Sequence, residues 1–114
     1  MSRSHLPIGM RPVAGALIKQ FAVYILTNRP RGVLYVGLSS ALPDRVKQHR
    51  EGLLPGFTKR YNLTRLVYFE YMSTAALMIA REKRLKRWRR EWKIALVEKA
   101  NPEWRDLWPD ISEA

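Results

Sequence analysis

The chain has 114 residues, with 21 Lys and Arg against 10 Asp and Glu, for a formal net charge of +11. That length suits one domain with one core, and 46% apolar with 11% aromatic content argues against disorder. With no cysteine and only His5 and His49, disulfides, thiol nucleophiles, iron–sulfur clusters and multi-histidine zinc sites are excluded.

Any metal would therefore sit on carboxylate oxygens, which suits Mg2+ or Mn2+. The charge favours a polyanionic partner: DNA, RNA or an anionic membrane face. Structural RNA binders share that balance, so charge alone does not indicate an enzyme. No apolar run approaches the roughly 18–20 residues of a membrane span. Residues 13–18 are too short for a signal core. A soluble cytoplasmic protein is the expectation, with no membrane partner.

Residues 1–20 hold Pro7, Gly9, Pro12 and Gly15 with little periodicity and are expected to form a flexible leader. Residues 21–27 are β-branched, aromatic and almost continuously apolar, as a strand covered on both faces would be. Residues 28–32 carry turn chemistry of hairpin length, and residues 33–38 form a second strand ending near Gly37. Pro43 and Asp44 suit the first turn of a helix that stops at Gly52. In it Leu42, Val46 and His49 recur at i, i+4 and i+7, and Arg45 lies one turn before His49.

Residues 53–62 read as a loop with a basic Lys59–Arg60. Residues 66–71 read as a third strand. Ser73 or Thr74 caps a second helix running to about Trp88. It is apolar in its first half and basic in its second, with Arg81, Lys83, Arg84, Lys86 and Arg87. Arg89 and Arg90 interrupt it. A third helix over about 91–99 puts Trp92, Ala95, Leu96 and Lys99 on one side, and Asn101–Pro102 ends it. Trp88, Trp92, Trp104 and Trp108 read as packing residues rather than base-stacking platforms. The expected order is β-β-α-β-α-α, an α/β (α+β) fold with a small three-stranded antiparallel-type sheet flanked by helices.

Several segments, in this order and spacing, carry a resemblance. They are Ala22-Val23-Tyr24, Tyr35-Val36-Gly37-Leu38-Ser39, and residues 42–49, 57–61, 80–88 and 101–107. Over residues 21–108 the chain resembles the GIY-YIG nuclease superfamily. It looks most like small stand-alone bacterial proteins related to the N-terminal domain of the excision-repair nuclease C subunit. Residues 109–114 would be a C-terminal tail. The family's first triplet begins with glycine, where this chain has Ala22.

The resemblance implies a role for each matching residue. Tyr24 matches the tyrosine placed against the attacking water, Tyr35 the second tyrosine, and Gly37 the glycine beside it. Arg45 matches the arginine that holds the scissile phosphate, and His49 its partner one turn later. Glu82 matches the single carboxylate that binds the divalent metal. Asn101 matches a supporting asparagine, though it lies later than in the excision-repair domain.

The residue chemistry agrees with those roles. Phosphodiester hydrolysis needs a water nucleophile, neutralisation of transition-state charge and help for the leaving oxygen. A planar guanidinium such as Arg45 grips phosphate oxygens in a way lysine does not copy. Tyrosine, with a reference pKa near 10, is an awkward base. Either cations lower the pKa of Tyr24, or Tyr24 orients the water and His49 takes the proton. Plainer readings stand beside these. The tyrosines could be strand packing, Glu82 could simply pair with Lys86 at i+4, and Asn101 could only end a helix.

The expected function is a divalent-metal-dependent DNA endonuclease, structure-dependent or weakly sequence-specific, in a DNA-repair setting. Lys59, Arg60, Arg81, Arg84, Lys86 and Arg87 would grip the backbone. RNA is an alternative target, and a protein partner could supply specificity. The rival reading is a non-catalytic nucleic-acid-binding module using the same basic face.

Overall fold

The structure, a computed structural model, describes residues 20–112; the expected leader lies almost wholly outside them. The strands are β1 (Phe21–Thr27), β2 (Leu34–Ser39) and β3 (Arg65–Met72). The helices are α1 (Leu42–Arg50), α2 (Phe57–Arg60), α3 (Ala75–Arg87), α4 (Arg90–Ala100) and α5 (Trp108–Ile111). The sheet is antiparallel throughout, in the order β2-β1-β3.

Two single-turn helices are additions to the expected order. α2 forms inside the expected basic loop, and α5 forms where only a packing tail was expected. Both are too short to leave a periodic signature in sequence. Ile111 of α5 is buried in the core beside α1.

β1 is central, and every residue from Ala22 to Thr27 is buried. Its alternate side chains feed two cores. Ala22, Tyr24 and Leu26 pack with Leu42 and Val46 of α1, and with Leu63, Leu66, Phe69 and Ile111. Val23 and Ile25 pack on the other face with Met78 and Leu85 of α3, Val97 of α4, and Trp104. A bulge in β3 shifts the register between Ile25, opposite Tyr68, and Leu26, opposite Leu66. The extra residue, Val67, joins Tyr68 in the α3/α4 core.

Local chemistry sets the ends of the helices. α1 has Pro43 and Asp44 in its first turn. It closes with Gly52 N–H on the His49 carbonyl at 3.1 Å and Leu53 N–H on the Gln48 carbonyl at 2.9 Å. That double bond needs a left-handed residue, and Gly52 supplies it at φ 69°. Asn62, at φ 57°, closes α2 the same way. The Thr74 hydroxyl caps α3 by accepting from Leu77 N–H at 3.1 Å. Trp88 and Arg89 are extended and form the corner between α3 and α4.

α4 turns a different face inward from the one its spacing suggests. Val97 is fully buried, with Ile94 and Leu96 against the core, whereas Ala95 and Lys99 are exposed and Trp92 is 50% exposed. The segment after α4 covers the outer edge of β3. Leu107 N–H donates to the Leu66 carbonyl at 2.7 Å, and the Asp106 carboxylate accepts from Leu66 N–H at 3.2 Å. Among the described residues no helix is long and apolar enough to cross a membrane.

Candidate active site

Tyr24 and Tyr35 lie on the same face of the sheet, with ring centres 6.3 Å apart. Gly37 stands directly across from Tyr24 in the β1–β2 ladder. A Cβ there would fall 2.5 Å from both Cζ and Oη of Tyr24 and 2.8 Å from Cε2 of Tyr35. The glycine is therefore the space through which the Tyr24 ring passes. Its φ is unexceptional, so clearance rather than backbone freedom requires it.

α1 lies over this face and brings His49 to both tyrosines, 5.8 Å from each ring centre. Tyr24 Oη and His49 Nε2 share a hydrogen bond of 3.0 Å. On its other side, His49 Nδ1 shares one of 3.1 Å with Thr58 Oγ1 of α2. The imidazole is thus fixed from both nitrogens. Sequence reasoning missed Thr58, whose only signal is its place in the Phe-Thr-Lys-Arg-Tyr segment of a loop.

The electrostatics follow from burial. His49 is 6% exposed. Desolvation, with a smaller contribution from the nearby Arg45 guanidinium, lowers its pKa to about 4. The imidazole is therefore neutral at pH 7. Burial also pushes the Tyr24 phenol well above its ordinary value, and Tyr35 adds to the rise. Arg45 pulls it down by charge and hydrogen bonding, and Glu82 pushes it up by charge. Arg45 from α1 and Glu82 from α3 therefore both act on one phenol. The two residues sit on helices that each pack against the edge strand β2, α1 over the tyrosine face and α3 over the other core.

The cluster has an inner and an outer layer. Tyr24 is completely buried and His49 nearly so. Tyr35 is half-buried and Arg45 exposed. The outward-facing tyrosine is therefore Tyr35, because the Tyr24 ring is closed in by Gly37, Tyr35 and His49. An aromatic path continues outward, from Tyr35 to Phe57 (6.4 Å, stacked) and from Phe57 to Tyr61 (4.7 Å). Phe57 and Tyr61 are 47% and 42% exposed, with the Arg60 guanidinium 5.6 Å from the Tyr61 ring centre.

The Glu82 side chain is 12% exposed and pairs with Lys86 Nζ at 2.5 Å. Among the described residues no three His, Asp or Glu side chains cluster as a multi-ligand metal site. Glu82 supplies one hard carboxylate, the ligand chemistry that Mg2+ accepts while it keeps several waters and completes its shell from substrate.

Two expected residues are engaged elsewhere. Asn101 is buried and its amide ties β3 to the segment after α4: it donates to the carbonyls of Val67 (3.1 Å) and Arg105 (2.8 Å) and accepts from Arg105 N–H (3.0 Å). The structure does not bring it to Tyr24, Arg45 or Glu82. Arg81 is held by Glu70, with Nε donating at 2.5 Å, and its guanidinium also lies 5.5 Å from the Trp88 ring centre. Glu70 accepts from the Tyr68 hydroxyl as well, so Arg81 is a structural pair rather than a free cation. By contrast Lys59, Arg60, Arg84 and Arg87 are exposed, with no carboxylate within 4 Å among the described residues.

No curated protein and no solved structure matched the chain. The family comparison did give a match: the model of the GIY-YIG catalytic domain covers residues 20–95. That span holds β1 to most of α4, including Tyr24, Tyr35, Arg45, His49 and Glu82, and leaves Asn101 outside. With the sheet order, the tyrosine pair and this match together, the chain belongs to the GIY-YIG nuclease family.

Proposed function

We propose that the protein is a divalent-metal-dependent endonuclease that hydrolyses DNA phosphodiester bonds. The observation that carries this reading is the GIY-YIG catalytic-domain match over residues 20–95, within which Tyr24 and His49 form a buried hydrogen-bonded pair. Backbone binding alone needs only lysine and arginine, so a buried phenol–imidazole pair beside a guanidinium is better explained by chemistry.

In this reading the outer layer meets the substrate. Arg45 takes the scissile phosphate with its guanidinium fork. Tyr35 is the phenol that orients the attacking water. Glu82 would hold Mg2+ or Mn2+, which when bound supplies charge neutralisation at the phosphate and leaving oxygens. The inner layer positions the outer one. Thr58 and Tyr24 hold His49 from opposite sides, and Gly37 lets Tyr24 lie close. His49, neutral at pH 7 and held at both ring nitrogens, fixes the direction of the Tyr24 hydroxyl. Asn101 supports the fold rather than the reaction.

In this reading cleavage is structure-dependent or weakly sequence-specific, with DNA repair as the fitting setting and a cytoplasmic location. RNA and a specificity-giving protein partner are secondary possibilities.

The test is nicking of supercoiled, branched and single-stranded DNA with Mg2+ or Mn2+. The wild type is compared with Glu82→Ala, Arg45→Ala and Tyr35→Phe. Losing a group aimed at developing charge costs about 100- to 1,000-fold in rate, and that loss is expected for Arg45→Ala and Glu82→Ala. Undiminished cleavage by Glu82→Ala would remove the metal role. Binding without cleavage on every substrate would favour the non-catalytic module.

A further inference from the structure

A second surface carries features that the tyrosine site does not use. Between α3 and α4, at the extended Trp88–Arg89 corner, lies an open groove of about 450 Å³. It is lined by Ala80, Lys83, Arg84, Arg87, Trp88 and Trp92. On α3 Ala80, Lys83, Arg84 and Arg87 lie roughly 100–160° around the helix from Glu82, at about 100° per residue. The groove therefore opens on a different side of the helix from the metal-holding carboxylate.

Two observations point to its ligand. First, Lys83, Arg84 and Arg87 have no carboxylate within 4 Å among the described residues, while their neighbours Arg81 and Lys86 are paired. The groove keeps uncompensated positive charge. Second, Trp92 is half-exposed although it is one of the largest apolar side chains in the chain. Its indole is held rather than loose: it stands edge-on to Trp88 at 6.1 Å, with the Arg89 guanidinium 5.5 Å from its ring centre.

A polyanion answers the charge, and a flat apolar group answers the indole. A nucleic-acid strand with an unstacked base offers both, whereas a duplex hides its base faces inside the stack. An anionic bilayer also answers the charge, and α3 exposes Leu77 and Ile79 beyond the groove, so vesicle binding is measured beside strand binding.

We propose that this groove is a second nucleic-acid site that grips an unpaired segment. A base stacks on Trp92, and Lys83, Arg84 and Arg87 take the flanking phosphates. The proposal rests on the nuclease reading for the identity of the polymer, and it gives a physical reason for structure-dependent cutting: the enzyme would hold unpaired strand at one side of α3 and cut from the other.

The test separates binding from cleavage. Binding of a short single-stranded oligonucleotide and of a blunt duplex is measured by fluorescence anisotropy in EDTA, for wild type, Trp92→Ala, Trp92→Phe and Arg84→Gln/Arg87→Gln. Base stacking on an aromatic ring predicts about a 5- to 100-fold loss of single-strand affinity in Trp92→Ala, partial rescue in Trp92→Phe, and duplex affinity within about twofold. The double charge variant lowers the salt slope for single strands by about 0.7 for each phosphate it no longer neutralises. Wild-type tryptophan fluorescence should be quenched by the strand, and less so in Trp92→Phe.

Unchanged single-strand binding in Trp92→Ala overturns the proposal. So does an equal loss for duplex, or preferential binding to phosphatidylserine vesicles over single strands. Strand binding that depends on Trp92 in a protein that cuts nothing supports the groove and sinks the nuclease reading. Cleavage with no dependence on Trp92 in binding does the reverse.

Discussion

Gly37→Ala should damage the protein through Tyr24 rather than through the backbone. The new methyl would sit 2.5 Å from Cζ and Oη of Tyr24, where ordinary contact is 3.4–4 Å. The ring must retreat by about 1 Å within a close-packed core. Overpacking of this kind costs about 1–3 kcal/mol. Moving Oη also strains or breaks the 3.0 Å bond to His49, a further 0.5–1.5 kcal/mol or so. A total near 2–4 kcal/mol is expected, or a fall in Tm of roughly 8–30 °C for a domain this size. Urea unfolding of Gly37→Ala, Tyr24→Leu and the double variant measures it. If the clash is with the Tyr24 ring, Gly37→Ala costs at least about 1 kcal/mol less once the ring is gone. Costs that add within about 0.5 kcal/mol would refute the reasoning, as would a Gly37→Ala protein as stable as the wild type.

Two further outcomes follow from the same packing. His49 has a folded pKa of about 4 against an ordinary 6.5, so below pH 6.5 the unfolded chain binds a proton that the folded chain refuses. Its contribution is present in full above about pH 6.5 and is lost as pH falls toward 4. The loss is up to about 3 kcal/mol, and Arg45, Tyr24 and Tyr35 are the charged and titratable groups that face the ring. Denaturant unfolding at pH 4.5 and 7 should show a smaller pH dependence in His49→Gln than in wild type; identical slopes would contradict the buried neutral imidazole. Glu70→Ala strands the half-buried Arg81 guanidinium and the Tyr68 hydroxyl, which should cost about 2–3 kcal/mol by urea titration, with Glu70→Gln milder because it can still accept. A change below about 0.5 kcal/mol would mean that water replaces Glu70 at no cost.

Much of this molecule was legible from residue order alone. The continuous apolar run of β1, the turn at residues 28–32, Pro43 with Asp44, and the Thr74 cap are local features, and each acts on its own few residues of backbone. They set the strands, the three longer helices and their order. Tyr24, Tyr35, Arg45, His49 and Glu82 were singled out through the resemblance to the GIY-YIG family, and the family match spans all five positions.

Tertiary structure decided which of these side chains face outward and which are already spoken for. Tyr24 lies inside and Tyr35 outside because α1 closes over one and leaves the other at the sheet edge. Thr58 meets His49, Asn101 meets Val67, and Arg81 meets Glu70, each across a chain separation that no periodicity encodes. Trp92 reads as a packing residue until the rotation of α4 places Val97 inward and leaves the indole in a basic groove. A side chain's neighbours far along the chain set its exposure and its partners, and those neighbours are assembled only when the two cores form on either side of β1.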